Sequence, residues 1–177
     1  MQLTTALPGI ILRPLRAEDA DVMAHEANST RIFENVRDLF PYPYRPDHAR
    51  SFIDAQAQKQ PTLHFAITDQ DTLIGVIGYA PQEDVYRFSA EIGYWLGESH
   101  WGRGIASTAI QTLVDYIFRH TDILRVYAGV FAFNTASMRA LEKAGFEKEG
   151  VFKNHVFKNA RFWDEHHYYR LKPNAFA

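Results

Sequence analysis

The sequence predicts a mixed α/β sheet, an α+β arrangement with at least one parallel crossover. Three observations carry this. The strongest amphipathic helix, Ile105 to Phe118, lies between two β-rich runs, and strands joined through a helix pair in parallel. The tail reads as two strands joined through Lys158-Asn159-Ala160, which is an antiparallel hairpin. The 177 residues show no repeat, low-complexity tract or Pro/Gly/Ser linker, so residues 1–177 are expected to form one domain.

In chain order, Ile10 to Leu15 (IILRPL) is an apolar, strand-like run. Ala17 to Asn28 follows as a helix with Glu18 and Asp19 in its first turn, where the dipole favours acids. Phe40 to Pro46 carries three prolines and is no regular helix. Asp47 is expected to cap a second helix, whose apolar positions Ala49, Phe52, Ile53 and Ala57 fall near helical spacing. Leu63 to Thr68 and Thr72 to Tyr79 are strands joined by a polar turn with Asp69, Gln70 and Asp71, and Glu91 to Leu96 is another strand. After the Ile105–Phe118 helix come a β-rich run, Leu124 to Phe131, and a helix over Asn134 to Ala144 that stops at Gly145. Strands over about Glu147–Phe157 and Arg161–Leu171 complete the chain.

Composition narrows the chemistry. There are no cysteines, which excludes disulfides, thiolate metal sites and a cysteine nucleophile. A formal net charge of -2 gives no basic footprint for nucleic acid. The N-terminal MQLTTALPGIILRPLRAEDA lacks a basic stretch followed by a long apolar one, so no signal peptide is expected. No apolar run approaches the ~18 residues of a membrane span. The expectation is a cytoplasmic protein with neither nucleic-acid nor membrane partner.

The most informative segment is His100-Trp101-Gly102-Arg103-Gly104-Ile105-Ala106-Ser107, between a strand and the strongest helix. Two glycines permit a sharp turn and close approach of a ligand to the backbone. The first N–H groups of a helix have no partner within it and, with the dipole, suit a phosphate; Arg103 can add a charge-assisted contact. A P-loop is excluded because the segment lacks Gly-Lys-Ser/Thr. A dinucleotide fingerprint fits poorly, since position 107 is Ser and the next strand ends in Phe131, Ala132 and Phe133 without an acid.

The run EIGYWLGESHWGRGIASTAI resembles the acetyl-CoA-binding core of the GNAT acetyltransferases, in their RimJ/RimL-type branch. Gly104-Ile105-Ala106 supplies the second half of the family signature, with Trp101 where Gln or Arg is usual. LRPLRAEDA, PYPYRPDHARSFI and FNTASMRALEKAGFEKEG are similar to the same branch in the same order. The resemblance implies the GNAT-like acyl-CoA N-acyltransferase fold, a central, mixed, mostly antiparallel twisted sheet of about seven strands with about four helices. It implies an acyltransferase that moves acetyl from acetyl-CoA, as co-substrate and without a metal, to an amine acceptor. Backbone groups of Gly102, Arg103, Gly104, Ile105, Ala106 and Ser107 would then hold the pyrophosphate. Those of Tyr94, Trp95 and Leu96 would meet the pantetheine arm, and Asn134 and Ser137 would contact the coenzyme near its sulfur.

Amide formation needs a neutral amine, donors for the oxyanion and a proton for the leaving thiolate. Glu91 or a water is the expected base. An exposed strand-end Glu or an ion pair accounts for the same residue equally well. Alternation puts Glu91, Gly93 and Trp95 on one face and Ile92, Tyr94 and Leu96 on the other. Ser137 or a tyrosine is the expected acid, with Tyr94, Tyr127 and Tyr168 as further phenols. Capping alone also explains Asn134 and Ser137. No metal site is expected, because Asp164 and His166 share one strand face and His167 takes the other. A coenzyme-A-binding sensor without turnover and a dinucleotide-dependent oxidoreductase are the alternatives, and a homodimer through the sheet edge is compatible with the pattern.

Overall fold

The computed structural model describes residues 2–175. Its elements are β1 (Leu3–Thr4), β2 (Ile10–Pro14), α1 (Ala20–Ala27), α2 (Thr30–Phe33), α3 (Pro46–Ala57), β3 (His64–Asp69), β4 (Thr72–Pro81), β5 (Ser89–Leu96), α4 (Ile105–His120), β6 (Arg125–Phe131), α5 (Thr135–Lys143), β7 (Glu147–Lys158) and β8 (Arg161–Leu171). One eight-stranded sheet runs in the order β1-β2-β3-β4-β5-β6-β8-β7. Every neighbouring pair is antiparallel except β5 with β6, which is the crossover through α4. The two-residue β1 and the four-residue α2 go beyond the sequence expectation, both being too short to leave a periodic signal.

Three local expectations are corrected. Ala17–Asp19 forms a 3-10 turn ahead of α1, and buried Asp19 bonds the Arg16 amide at 2.8 Å and both Arg13 terminal nitrogens at 2.7 and 2.8 Å. It is a tie between β2 and α1 more than a dipole partner. Asp47 does not cap α3: Arg45 is the N-cap, and Pro46, whose fixed φ suits the first helical position, moves Asp47 one residue inside. Glu91 does not open its strand, because β5 begins at Ser89.

The helices clothe two faces. On one, α4 buries Ile105, Ala109, Ile110, Leu113, Val114, Ile117 and Phe118 against Ile77, Ile92 and Leu96. Each fully buried Leu or Ile here is worth about 1.5–3 kcal/mol. On the other, α1 and α3 pack Ala20, Met23, Ala24 and Ile53 over Ala66, Leu73 and Val76, with Trp95 and Phe40 at the margin. α5 ends in a Schellman closure: Phe146 N–H bonds Leu141 O and Gly145 N–H bonds Glu142 O, both at 3.0 Å, with Gly145 at φ 81°.

Candidate active site

β5 and β6 pair only where Ser89, Ala90 and Glu91 face Arg125, Val126 and Tyr127. Beyond Glu91 the two strands part, although β5 stays paired with β4 as far as Leu96. Gln82 N–H bonds Ser89 O at 2.9 Å and Gly97 N–H bonds Ile74 O at 2.8 Å. Ladder alternation therefore commits the odd-numbered residues of β5 to β4; the Ile92 N–H completes the pairing of Glu91 with Tyr127, and the Ile92 carbonyl with the backbone groups of Tyr94 and Leu96 turns into the gap. The Leu96 carbonyl is already taken, by the Trp101 indole N–H at 2.7 Å. Across the gap, Ala132 N–H bonds Asp164 O at 3.0 Å, so Gly129 and Phe131 turn their backbone groups away from β8. Backbone polar groups do not stay unpaired away from water, so this gap is built for water or a ligand.

The gap leads to the glycine turn. Gly102 (φ 74°) and Gly104 (φ 77°) are left-handed, a region costly for residues with a Cβ, and a Cβ built on either would meet nothing within 4 Å. Gly104 is the N-cap of α4 and offers no side-chain acceptor. Thr108 N–H is the first to bond back, to Gly104 O at 3.2 Å, so the amides of Ile105, Ala106 and Ser107 precede the helical ladder. The hydroxyls of Ser107 and Thr108 donate to that same carbonyl, at 2.9 and 3.0 Å. The Arg103 side chain is turned away, to Asp69 at 3.3 Å, and is absent from the cleft wall.

At the other rim, Asn134 Oδ1 accepts from Ser137 N–H at 3.1 Å, so the capping expected of this pair is realised. The Asn134 amide nitrogen bonds nothing among the described residues. Ser137 Oγ lies 2.7 Å from the Tyr94 hydroxyl. Burial pushes the Tyr94 phenol up to about 12, against the hydrogen bond from Ser137. The other phenols lie elsewhere: Tyr168 donates to Glu142 at 3.0 Å and is raised to about 12 by burial and that carboxylate, while Tyr127 is raised by burial and by Glu91. Of the three, only Tyr94 lines the cleft.

All the expected site residues except Arg103 line one cleft of about 1250 Å³. That exceeds the usual pocket for one small ligand and suits an elongated one with a second molecule beside it. Trp95 packs with α1 and α3, which settles the face left open by the sequence: Glu91, Gly93 and Trp95 look toward those helices and the Pro-rich loop. Glu91 is ion-paired with Arg37 of that loop. The loop also places Leu39, Phe40 and Pro41 in the cleft wall.

Two features had no readable signal. Trp101 acts through its indole N–H on a carbonyl five residues back, which its identity alone does not announce. Glu165 lines the cleft at 9% exposure, and its Oε2 accepts from His155 Nδ1 at 2.8 Å and His167 Nε2 at 2.9 Å. Burial opposes its ionisation, but the hydrogen bonds from His167 and His155 outweigh it and hold the carboxyl below its usual range. Alternation did separate Asp164 and His166 from His167, but it could not bring His155 across from β7.

A family model described as "Acetyltransferase (GNAT) domain" matches residues 10–147. The Bacillus licheniformis protein named N-acetyltransferase p20 is 31% identical over 140 residues, covering 77% of this chain and 78% of its own. The ribosomal-protein-serine acetyltransferase of Escherichia coli is 38% identical over 82 residues, 46% of this chain and 45% of its own. Among solved structures, spermidine N-acetyltransferase of Vibrio cholerae, in complex with CoA and spermine, superposes with a TM-score of 0.79 at 26% identity, over 94% of this chain and 97% of that one. RimL in complex with coenzyme A superposes at 0.84 with 22% identity, over 97% and 98%, a likeness of fold. The fold is that of acyltransferases that work on nitrogen. The chain belongs to the GNAT acetyltransferase family.

Proposed function

We propose that this protein transfers the acetyl group of acetyl-CoA to a primary amine by direct attack in a ternary complex. One observation carries the reading: the parted strands β5 and β6, with unspent backbone groups, run directly into the left-handed Gly102–Gly104 turn and the free amides of α4. The turn is suited to the coenzyme's pyrophosphate through the amides of residues 102–107. Arg103 contributes its backbone only, since its side chain is at Asp69. The backbone of Tyr94 and Leu96 faces the gap and is suited to the pantetheine arm, the Leu96 carbonyl being already satisfied by Trp101; Trp95, expected there too, spends its backbone on β4.

In the transfer, the amine nitrogen bonds the acetyl carbon as the carbon–sulfur bond breaks. The ammonium first loses one proton, to Glu91 or to a water that Glu91 holds; after attack the nitrogen sheds a second by the same route as it becomes the amide, and solvent restores the proton that Ser137 gives up. The Tyr94 amide of the gap is suited to the developing oxyanion. Ser137, backed by the Tyr94 phenol, gives a proton to the departing thiolate, and the Asn134 amide nitrogen is free to hold the coenzyme beside it. No acyl-enzyme is invoked, since there is no cysteine and Ser137 has Tyr94 and Asn134, not a histidine, as its partners.

The acceptor is a protein N-terminal α-amine or a small-molecule amine. The ribosomal-protein-serine acetyltransferase and the spermidine N-acetyltransferase among the similar proteins support one each. A panel of amines with acetyl-CoA, reading released thiol, tests the reading. Turnover with at least one amine is expected; tight acetyl-CoA binding without turnover on any would favour a sensor.

A further inference from the structure

We propose that Glu165 is the acceptor site's anion, receiving the acceptor as an alkylammonium through its Oε1 before the proton is lost. The proposal rests on the acetyltransferase reading and deepens it.

The two carboxylate oxygens of Glu165 are in different situations. Oε2 accepts from both His155 and His167. Oε1 bonds nothing among the described residues, although the residue is 9% exposed and faces the cleft. It is the oxygen accessible from the cleft, and in so enclosed a site a carboxylate oxygen gains most from a donor that is itself charged. The two imidazole N–H groups fix the carboxylate plane and leave Oε1 as the only open position.

The sheet makes room at that oxygen. A Cβ on Gly129 would lie 2.5 Å from Oε1, so the glycine leaves the carboxylate the space over β6 that it occupies. Register puts Glu91, Gly93 and Trp95 of β5, Gly129 and Phe131 of β6, and Glu165 and His167 of β8 on one face. A Cβ on Gly93 would meet nothing within 4 Å. Gly93 thus leaves open ground on the β5 side of the gap, and the Glu165 carboxylate lies over Gly129 on the β6 side.

Charge and lining point the same way. Glu91, on the same face, is compensated by Arg37. Glu165 has no Lys or Arg partner among the described residues; its partners are two histidines, which leaves its negative charge for a cation. Phe131 and Phe133, 5.7 Å apart, line the cleft and offer ring surface suited to an ammonium and the carbons next to it. The ligand this recognises is a primary ammonium on an apolar stem.

The test uses the whole protein saturated with coenzyme A, which carries no acetyl to transfer, and two probes of like shape: butylammonium and butan-1-ol, titrated by ligand-observed NMR at neutral pH. Wild type is expected to hold the ammonium about 10-fold or more tightly than the alcohol, the size of a charge-assisted hydrogen bond. Glu165→Gln should collapse that preference to about 2-fold or less, while Glu165→Asp keeps part of it and Glu91→Gln keeps most. An undiminished preference in Glu165→Gln, or none in wild type with coenzyme bound, overturns the proposal. Should Glu165→Gln not fold, Glu165→Met serves, because it keeps the stem and removes the carboxylate; a preference surviving there overturns the proposal equally. Failure of coenzyme A to bind wild type would sink the acetyltransferase reading, and this proposal with it.

Discussion

Tyr94 and Ser137 meet hydroxyl to hydroxyl at 2.7 Å, joining the central strand to the first turn of α5 across the parted strands. A phenol pushed up to about 12 by burial keeps its proton at neutral pH, so it supports the serine as a donor and does not compete as an anion. Ser137→Ala is expected to lower turnover about 10- to 1,000-fold with little change in acetyl-CoA affinity. Tyr94→Phe should lower it less, and the double variant should be no slower than Ser137→Ala, since the two act as one unit. Single-turnover rates with coenzyme binding measured separately check this; additive losses would mean two independent roles.

Gly104 stands at φ 77° with open ground where a Cβ would go. Gly104→Ala is expected to cost about 1–2 kcal/mol from backbone strain alone. Gly104→Val should also block the approach of a diphosphate and weaken acetyl-CoA binding more than 10-fold. Ligand at about 100 times its dissociation constant adds roughly 2.7 kcal/mol of stability, so acetyl-CoA should raise the wild-type melting point, NAD should not, and the valine variant should respond to neither.

Glu91 faces the cleft within reach of Arg37. Should it take the amine's proton, Glu91→Gln will slow transfer most below the amine's own pKa, roughly 8 for an α-amine, and least above it. Rates across pH check this; a constant ratio of variant to wild type would assign the proton to solvent.

His64 supplies a pH signature of the fold. Burial, aided by Lys59, lowers its pKa to about 4, and its Nδ1 lies 2.8 Å from Gln56 Oε1. From about pH 6.5 down to 4 the unfolded chain binds a proton there that the folded chain refuses, so stability falls as pH falls through that window. Unfolding free energies from urea titrations at pH 7 and 5 should differ by about 2 kcal/mol from this residue. His64→Gln should flatten that part of the profile; an unchanged slope would contradict the assignment.

What the sequence showed was local. The turn at Gly102 and Gly104 was legible because positive φ before a strong helix demands glycine, and Gly145 was legible for the same reason at the end of α5. The parting of β5 from β6 is set by how far two strands 36 residues apart run together (Ser89 and Arg125), which no local pattern encodes. Glu165 was hidden for a related reason. Its partner His155 arrives from β7, which shifts register between Lys148 and Gly150 and again between Phe152 and Val156, so simple alternation cannot place it. Asp47 misled because a good capping residue followed Pro46, and the proline took the first helical position.

The most direct test is amide NMR of the protein titrated with acetyl-CoA. The account predicts that the N–H signals of Gly104, Ile105, Ala106 and Ser107, with that of Tyr94 in the gap, shift together and saturate at one concentration. Coenzyme binding that leaves the amides at the start of α4 unmoved would contradict it.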